Sequence, residues 1–126
     1  MQRNTKQKKL VFNALTTLCH PTAQDIYDFI SKEYPQISLG TVYRILSSFC
    51  NQKKILHIKI PNKADCYDYQ THNHYHFCCK KCLKVYDMDI PYLAHLNTNL
   101  NGYMIEEHNI LFSGICADCQ NNKEGK

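Results

Sequence analysis

No tryptophan and only four glycines and four prolines occur in the 126 residues, and there is no internal repeat or low-complexity segment. A repeat array or a compositionally biased linker is thereby excluded. No apolar run approaches the roughly 20 residues of a membrane span. The N-terminal stretch is basic and polar, without the apolar core of a secretory signal. The expectation is a cytosolic protein with no membrane partner, folded as one compact domain or two very small ones. Acidic residues are scarce in the front half: residues 1–63 hold three Asp/Glu against ten Lys/Arg, net +7, and residues 64–126 hold eight against five, net −3, which sum to +4. A basic half suggests a polyanion partner, usually nucleic acid, with a solvated basic face as the plainer alternative.

Cysteine, by contrast, is plentiful, with eight in the chain. In a reducing compartment that argues for metal ligation, a disulfide framework being the alternative for a secreted chain. Four cysteines fall into two pairs, Cys79-Lys80-Lys81-Cys82 and Cys116-Ala117-Asp118-Cys119, with 33 residues between the pairs. Four thiolates at about 2.3 Å suit tetrahedral zinc and leave no open position for chemistry. The gap exceeds the roughly 15–20 residues of a zinc ribbon, so it must enclose a folded unit that the metal staples. A redox pair is the competing reading of each Cys-x-x-Cys. Cys78 faces away from Cys79 on a strand and reads as a packed small residue, while Cys19, Cys50 and Cys66 lack paired spacing and are expected to be buried.

A second ligand set lies within the twenty residues from Asp68 to Asp87. His74 and His76 project from one face of a strand, and Asp68 and Asp87 bracket them with hard oxygens. Mixed nitrogen and oxygen sets suit Fe(II), Mn(II) or Zn(II), and the residues do not rank these metals. A pair of surface histidines is the bland alternative. Six residues from Asp68 to His74 reach up to about 20 Å, so both on one ion would fold the link back as a clasp between the halves. His57, His72 and His95 have no partner at ligand spacing and read as surface residues. A zinc hydrolase built on the His/Asp set would need a general base, and none presents itself.

Along the chain, residues 1–9 read as a frayed basic segment. Leu10, Val11, Ala14, Leu15 and Leu18 give the apolar stripe of a helix from about Lys8 to Leu18. Thr22 and Asp25 form a capping-box start for a second helix with Ile26, Phe29 and Ile30 buried, ending before Pro35. Ser38 caps a third helix whose Val42, Ile45, Leu46 and Phe49 face inward, leaving Thr41, Tyr43, Arg44, Ser47 and Ser48 outside. That is a helix-turn-helix with a recognition helix. Ile55–Ile60 and Cys66–Gln70 read as a hairpin in the position of a wing. The boundary falls near residues 69–73, giving a winged-helix DNA-binding domain over 1–70 and a metal-binding dimerisation domain over 71–126. The latter reads as strand (74–78), knuckle, strand (84–88), a helix over about 91–100 ended by Asn101-Gly102, a long strand Tyr103–Ile115, and a polar tail over 120–126. The fold class is α+β.

His20-Pro21-Thr22-Ala23 through Asp25-Ile26-Tyr27, Ser38-Leu39-Gly40-Thr41-Val42-Tyr43-Arg44-Ile45-Leu46, His74-Tyr75-His76 to Cys82, and Gly114-Ile115-Cys116 to Cys119 together resemble the ferric uptake regulator (Fur) superfamily of metal-dependent bacterial repressors. The likeness spans Thr5 to Cys119 in family order. It implies a homodimeric winged-helix repressor of double-stranded operator DNA, not an enzyme, with structural Zn2+ at Cys79, Cys82, Cys116 and Cys119. The peroxide-sensing branch is the most similar. It holds regulatory Fe2+ or Mn2+ at positions matching His20, Asp68, His74, His76 and Asp87, where iron sensors usually have Glu for the two Asp. In that branch, iron-dependent oxidation of a ligating imidazole, here His20 or His74, opens the clasp and releases DNA. An iron- or zinc-responsive repressor of metal uptake genes is the alternative. A further family metal site maps to Asn73, Tyr75, Ala94 and His108, of which only His108 is a ligand type, so that site is expected to be lost. The chain departs from the family in starting about one helix late, and in having Lys8 where Arg is common in the first helix. Leu83 replaces a common Gly, and Arg44 matches iron sensors better than peroxide sensors.

Overall fold

Helix α1 (Gln2–Thr17) begins well before the apolar stripe that predicts a helix from about Lys8. The expected fraying of the basic segment is thus corrected from Gln2 onward. Its residues include the strong helix formers Gln, Arg and Lys and no breaker. Once Val11, Ala14 and Leu15 are buried, the helix extends toward its N-terminus at little cost. The computed structural model describes residues 2–121, and the chain divides into one unit that ends at Thr71 and another that starts at His72.

In the first unit, Thr22 Oγ1 accepts from the Asp25 N–H while Asp25 Oδ2 accepts from the Thr22 N–H, both at 3.0 Å. This capping box starts α2 (Ala23–Ser31). Ser38 Oγ accepts from the Thr41 N–H at 3.1 Å and starts α3 (Leu39–Asn51). The three helices bury Val11, Ala14, Leu15, Ala23, Ile26, Ile30, Val42, Ile45, Leu46 and Phe49 in one cluster with Ile37, Ile55 and Tyr67. Each large aliphatic there contributes about 1.5–3 kcal/mol on burial. Phe12 meets Phe49 edge-to-face, with ring centroids 5.9 Å apart. Phe29, expected inside, is 37% exposed. Ala23, Ile26 and Ile30 already fill the narrow buried stripe, and Phe29 falls at its margin.

Strands β1 (Leu56–Ile58) and β2 (Cys66–Asp68) pair antiparallel, Leu56 opposite Asp68 and Ile58 opposite Cys66, shorter than the expected runs. Following α2 and α3, they complete a winged helix. The link between α1 and α2 is stitched to β2. Pro21 O accepts from the Tyr67 N–H at 2.9 Å, and Thr22 forms a bridge with Cys66.

The second unit holds β3 (Tyr75–Cys79), β4 (Val85–Met88), β5 (Asn99–Leu100), β6 (Tyr103–Met104), β7 (Leu111–Gly114) and α4 (Ala117–Asn121). Its main sheet runs β4-β3-β7, with β4 antiparallel and β7 parallel to β3. Two expectations fail here. The helix over 91–100 is only a single 3-10 turn, Ala94–Leu96. Asn97, Thr98 and Asn99 are weak helix formers, and the Leu93 N–H is taken by the Tyr75 hydroxyl at 3.0 Å. Asn101-Gly102 does not end a helix but turns the β5–β6 hairpin, with φ of 52° and 83°, the pair of positive values a tight hairpin requires. The long strand predicted over Tyr103–Ile115 is broken between β6 and β7 across Glu106, Glu107 and Asn109, where His108 turns into a polar cluster. The expected polar tail is helical as far as Asn121, and residues 122–126 lie outside the described residues. No helix among the described residues is long and apolar enough to cross a membrane.

Candidate metal centres and nucleic-acid interface

The four-sulfur cluster is assembled by sheet register. Cys79 ends β3 opposite Gly114 of β7, and the Lys80 N–H donates to Gly114 O at 2.7 Å, which brings Cys116 alongside. The knuckle closes through the Cys79 N–H to Lys84 O and the Leu83 N–H to Cys79 O, with Leu83 at φ 66°. A non-glycine residue there is strained by about 1–2 kcal/mol, which explains the glycine common at this family position. The sulfurs of Cys79, Cys82, Cys116 and Cys119 all lie within 4.8 Å of one another. Cys79 and Cys119 are 3.7 Å apart and Cys82 and Cys116 are 3.9 Å apart. Tetrahedral bonds of about 2.3 Å require sulfur–sulfur edges of about 3.8 Å. The cluster has the size of a closed zinc–thiolate site.

Its electrostatics are divided. Burial opposes ionisation of Cys79, but the N–H groups of Cys116, Cys82 and Lys81 aim at its sulfur at 3.3–3.4 Å and bring its thiol down to about 5. The Tyr86 hydroxyl donates to Cys116 at 3.5 Å and is the main reason that thiol is also lowered. Cys119 is pushed up to about 12, by burial first and then by the neighbouring Cys116, Cys79 and Cys82. Four sulfurs this close ionise together only around a cation. Tyr86 carries no sequence signal for this role, since it lies four residues past the knuckle and arrives only through β4 pairing.

The nitrogen and oxygen ligands sit in two groups, one in each unit. In the first, His20 follows α1 in the left-handed region at φ 46°, and the stitch from Pro21 to β2 carries it to Asp68. His20 Nε2 is 3.3 Å from Asp68 Oδ2, while Asp68 Oδ1 accepts from the Gln70 N–H at 2.9 Å. One carboxylate oxygen is thus anchored and the other is presented with the imidazole. Cys19, expected to be buried, is exposed, with its Sγ 3.4 Å from His20 Nδ1. Cys66 is buried as expected and Cys50 half-buried.

In the second unit, His76 lies directly opposite Asp87 in the β3–β4 ladder. Asp87 Oδ1 is 3.3 Å from His74 Nε2 and 3.4 Å from His76 Nε2. The two rings stand 4.4 Å apart, closer than the roughly 6.6–6.8 Å between alternate residues of a strand, so they converge. His74 Nδ1 lies 2.6 Å from His72 O, so it donates and leaves Nε2 as the electron-pair donor. His72, read from sequence as a mere surface residue, also stacks on His74 at 4.5 Å. Two imidazoles and a carboxylate with their donor atoms turned to one point fit an N/O-preferring divalent metal.

His108 is engaged at both ring nitrogens. His108 Nδ1 donates to Asn97 Oδ1 at 2.7 Å, and its Nε2 accepts from the Tyr75 hydroxyl at 2.6 Å. Tyr92 stacks on the ring at 4.6 Å, and its hydroxyl accepts from Asn97 Nδ2 at 3.1 Å. These contacts pin the Tyr92–Asn97 segment. His108→Ala removes the bonds that the part-buried Tyr75 O–H and Asn97 Oδ1 make to the ring, at about 1–3 kcal/mol. We expect faster amide exchange at Leu93 and Asn97 by mass spectrometry, with no change in metal content.

On α3, Val42, Ile45, Leu46 and Phe49 are buried while Tyr43 is 50% exposed and Arg44 is exposed. Thr41 is half-buried, and its Oγ1 accepts from Ser38 Oγ at 2.9 Å and from Arg44 Nη2 at 3.4 Å. Tyr43 and Arg44 therefore project from the side opposite the core.

The model of the ferric uptake regulator family matches residues 2–113. The chain is similar to the peroxide-responsive repressor PerR of Staphylococcus aureus (strain USA300), 30% identical over 122 residues, covering 94% of this chain and 82% of that one. It is also similar to PerR of Staphylococcus saprophyticus, 31% identical with the same coverage. Among solved structures, the Campylobacter jejuni peroxide stress regulator superposes with a TM-score of 0.75 at 28% identity over 94% of this chain and 92% of that one. The Helicobacter pylori ferric uptake regulator Fur also gives 0.75, at 21% identity over 91% and 80%, a likeness of fold.

Proposed function

Because this chain belongs to the ferric uptake regulator family, we propose that it is a metal-dependent repressor that binds operator DNA as a homodimer and senses hydrogen peroxide. The observation that carries the reading is the presentation of His74, His76 and Asp87 side by side in the second unit. His20 and Asp68 supply the rest of a five-ligand set. Zn2+ at Cys79, Cys82, Cys116 and Cys119 staples the fold, and Fe2+ or Mn2+ at the mixed set regulates. An ion that draws ligands from both units holds them in one arrangement, and its loss lowers the fraction competent for DNA.

Peroxide sensing is favoured by two aspartates, Asp68 and Asp87, where iron-sensing members usually carry Glu, and by relatives described as peroxide-responsive repressors. Arg44 favours the second reading, an iron- or zinc-responsive repressor. For dimerisation, the second unit exposes Leu100, Tyr103, Met104, Phe112 and Ile115, apolar surface suited to a second copy. Two recognition helices then meet successive major grooves, about 34 Å apart.

Metal analysis beside an operator titration tests the reading. We expect one Zn2+ plus one Fe2+ or Mn2+ per chain, and DNA binding only with the second ion present; binding unchanged after its removal overturns the metal gate. Within α3, Arg44→Ala should weaken operator binding by about 1–3 kcal/mol if it reads a guanine edge, with the melting temperature nearly unmoved. If both Tyr43→Ala and Arg44→Ala bind like the parent, α3 is not the reading helix.

A further inference from the structure

We propose that His72 is a positioning residue for His74, fixing which nitrogen of that ring faces the metal and covering the face of the ring. The inference rests on reading His74 as a ligand, and it arises from the bend that leads into β3. His72 and Asn73 form a bend ahead of β3, which sets the His72 ring against that of His74, and His74 in turn lies beside His76, so three imidazoles follow one another. His72 and His74 are stacked at 4.5 Å with planes 29° apart, and His74 and His76 are tilted at 4.4 Å.

Two separate contacts converge on His74. The His72 carbonyl accepts from Nδ1 at 2.6 Å, which places the ring proton there and leaves the lone pair on Nε2, the nitrogen nearest Asp87. The His72 ring then covers one face of His74, so the imidazole is held against rotation by stacking as well as by its hydrogen bond. A ligating histidine is ordinarily oriented by a partner on its far nitrogen, and loss of such a partner weakens metal binding by about 10–100-fold. The carbonyl supplies that partner whatever side chain residue 72 carries. The ring is the part specific to histidine. A histidine that ligates directs a nitrogen at the ion, whereas His72 turns its face to His74 and is otherwise exposed. That separates positioning from ligation.

The test uses the full zinc-loaded chain, with Mn2+ alone as the probe and free Mn2+ followed by electron paramagnetic resonance. His72→Ala is expected to weaken Mn2+ binding by about tenfold, at the low end of outer-partner effects because the carbonyl remains. His72→Phe restores a flat ring that stacks but cannot ligate, and should bind within about threefold of the parent. Phe as weak as Ala overturns positioning by stacking in favour of a direct role for the imidazole nitrogens. An Ala variant that binds like the parent overturns the proposal outright. The rate at which diethyl pyrocarbonate modifies His74 in protein freed of the regulatory metal gives a readout independent of binding, expected to rise in His72→Ala and not in His72→Phe. His74→Ala serves as the control on the underlying reading. If it keeps full Mn2+ affinity, the ligand assignment fails, and the modification rates alone then decide whether His72 covers His74.

Discussion

Cys116→Ser is expected to release one zinc ion per chain and unfold the second unit, with any dimer lost as a consequence. The reason lies in how little else holds that unit together. In the first unit a contiguous cluster from Val11 to Tyr67 buries eleven aliphatic side chains and two aromatics. Among the described residues beyond His72, the buried apolar ones are Tyr75, Cys78, Cys79, Val85 and Cys116, and two of those five are zinc-ligand candidates. Structural zinc contributes about 10–16 kcal/mol of binding free energy, comparable with the whole stability of an ordinary domain at about 5–15 kcal/mol. Cys116 is the most telling position, because its sulfur accepts from Tyr86 and its N–H donates to Cys79. Serine keeps the size and a hydroxyl but not the thiolate, so loss of structure would report on metal and not on packing. Zinc content and circular dichroism of the variant check it, with the first unit retaining its helical signal. A variant that remains a stable, zinc-loaded dimer would refute the structural assignment.

The sequence was most legible where a local signal and tertiary packing agree. Thr22 with Asp25 and Ser38 with Thr41 are short-range caps, and both operate as read. The apolar stripe of α3 is likewise buried at every position named. Legibility failed where a short polar stretch was claimed by side chains distant in sequence. The residues over 91–100 have an acceptable helical pattern, yet the hydroxyl of Tyr75 captures the Leu93 N–H and His108 holds Asn97, 11 residues away. No periodicity encodes those partners. Asn101-Gly102 carried the opposite error. It is a strong hairpin signal that was subordinated to the expected helix before it. The ligand clusters divide in the same way. Cys-x2-C spacing is local chemistry and readable. The approach of His20 to Asp68 depends on the stitch between Pro21 and Tyr67, and the orientation of His74 depends on a backbone carbonyl two residues away.

Hydrogen peroxide is expected to add one oxygen to His20 or His74 of the iron-loaded protein and abolish operator binding, and to leave the manganese-loaded protein unmodified and bound to DNA. Fe(II), when bound, would supply the electron that starts peroxide cleavage, which Mn(II) does not; over the whole step peroxide is reduced by two electrons, one oxygen going to the ring carbon and the other leaving as water. What the chain supplies is a pair of imidazoles held by both nitrogens. His20 has Asp68 at Nε2 and Cys19 at Nδ1, and His74 has Asp87 at Nε2 and the His72 carbonyl at Nδ1. Oxidation at a ring carbon beside nitrogen converts that nitrogen to an amide type with no lone pair to donate, so that imidazole is lost as a ligand. Thiol sensing is the chemical rival. Cys79, Cys82, Cys116 and Cys119 belong to the four-sulfur cluster, Cys66 and Cys78 are buried, and burial raises the Cys50 thiol and disfavours its reactive form. Exposed Cys19 is the rival to exclude, and its contact with His20 makes the control necessary. Cys19→Ala should therefore keep the iron-dependent response. Peptide masses after treatment, with DNA binding followed in parallel, separate the outcomes. Oxygen on His20 or His74 only with iron supports peroxide sensing at the metal, and oxidation confined to Cys19 with loss of the response in Cys19→Ala assigns it to the thiol. Unmodified histidines with DNA still bound leave the iron- or zinc-responsive repressor, the reading that Arg44 already favours.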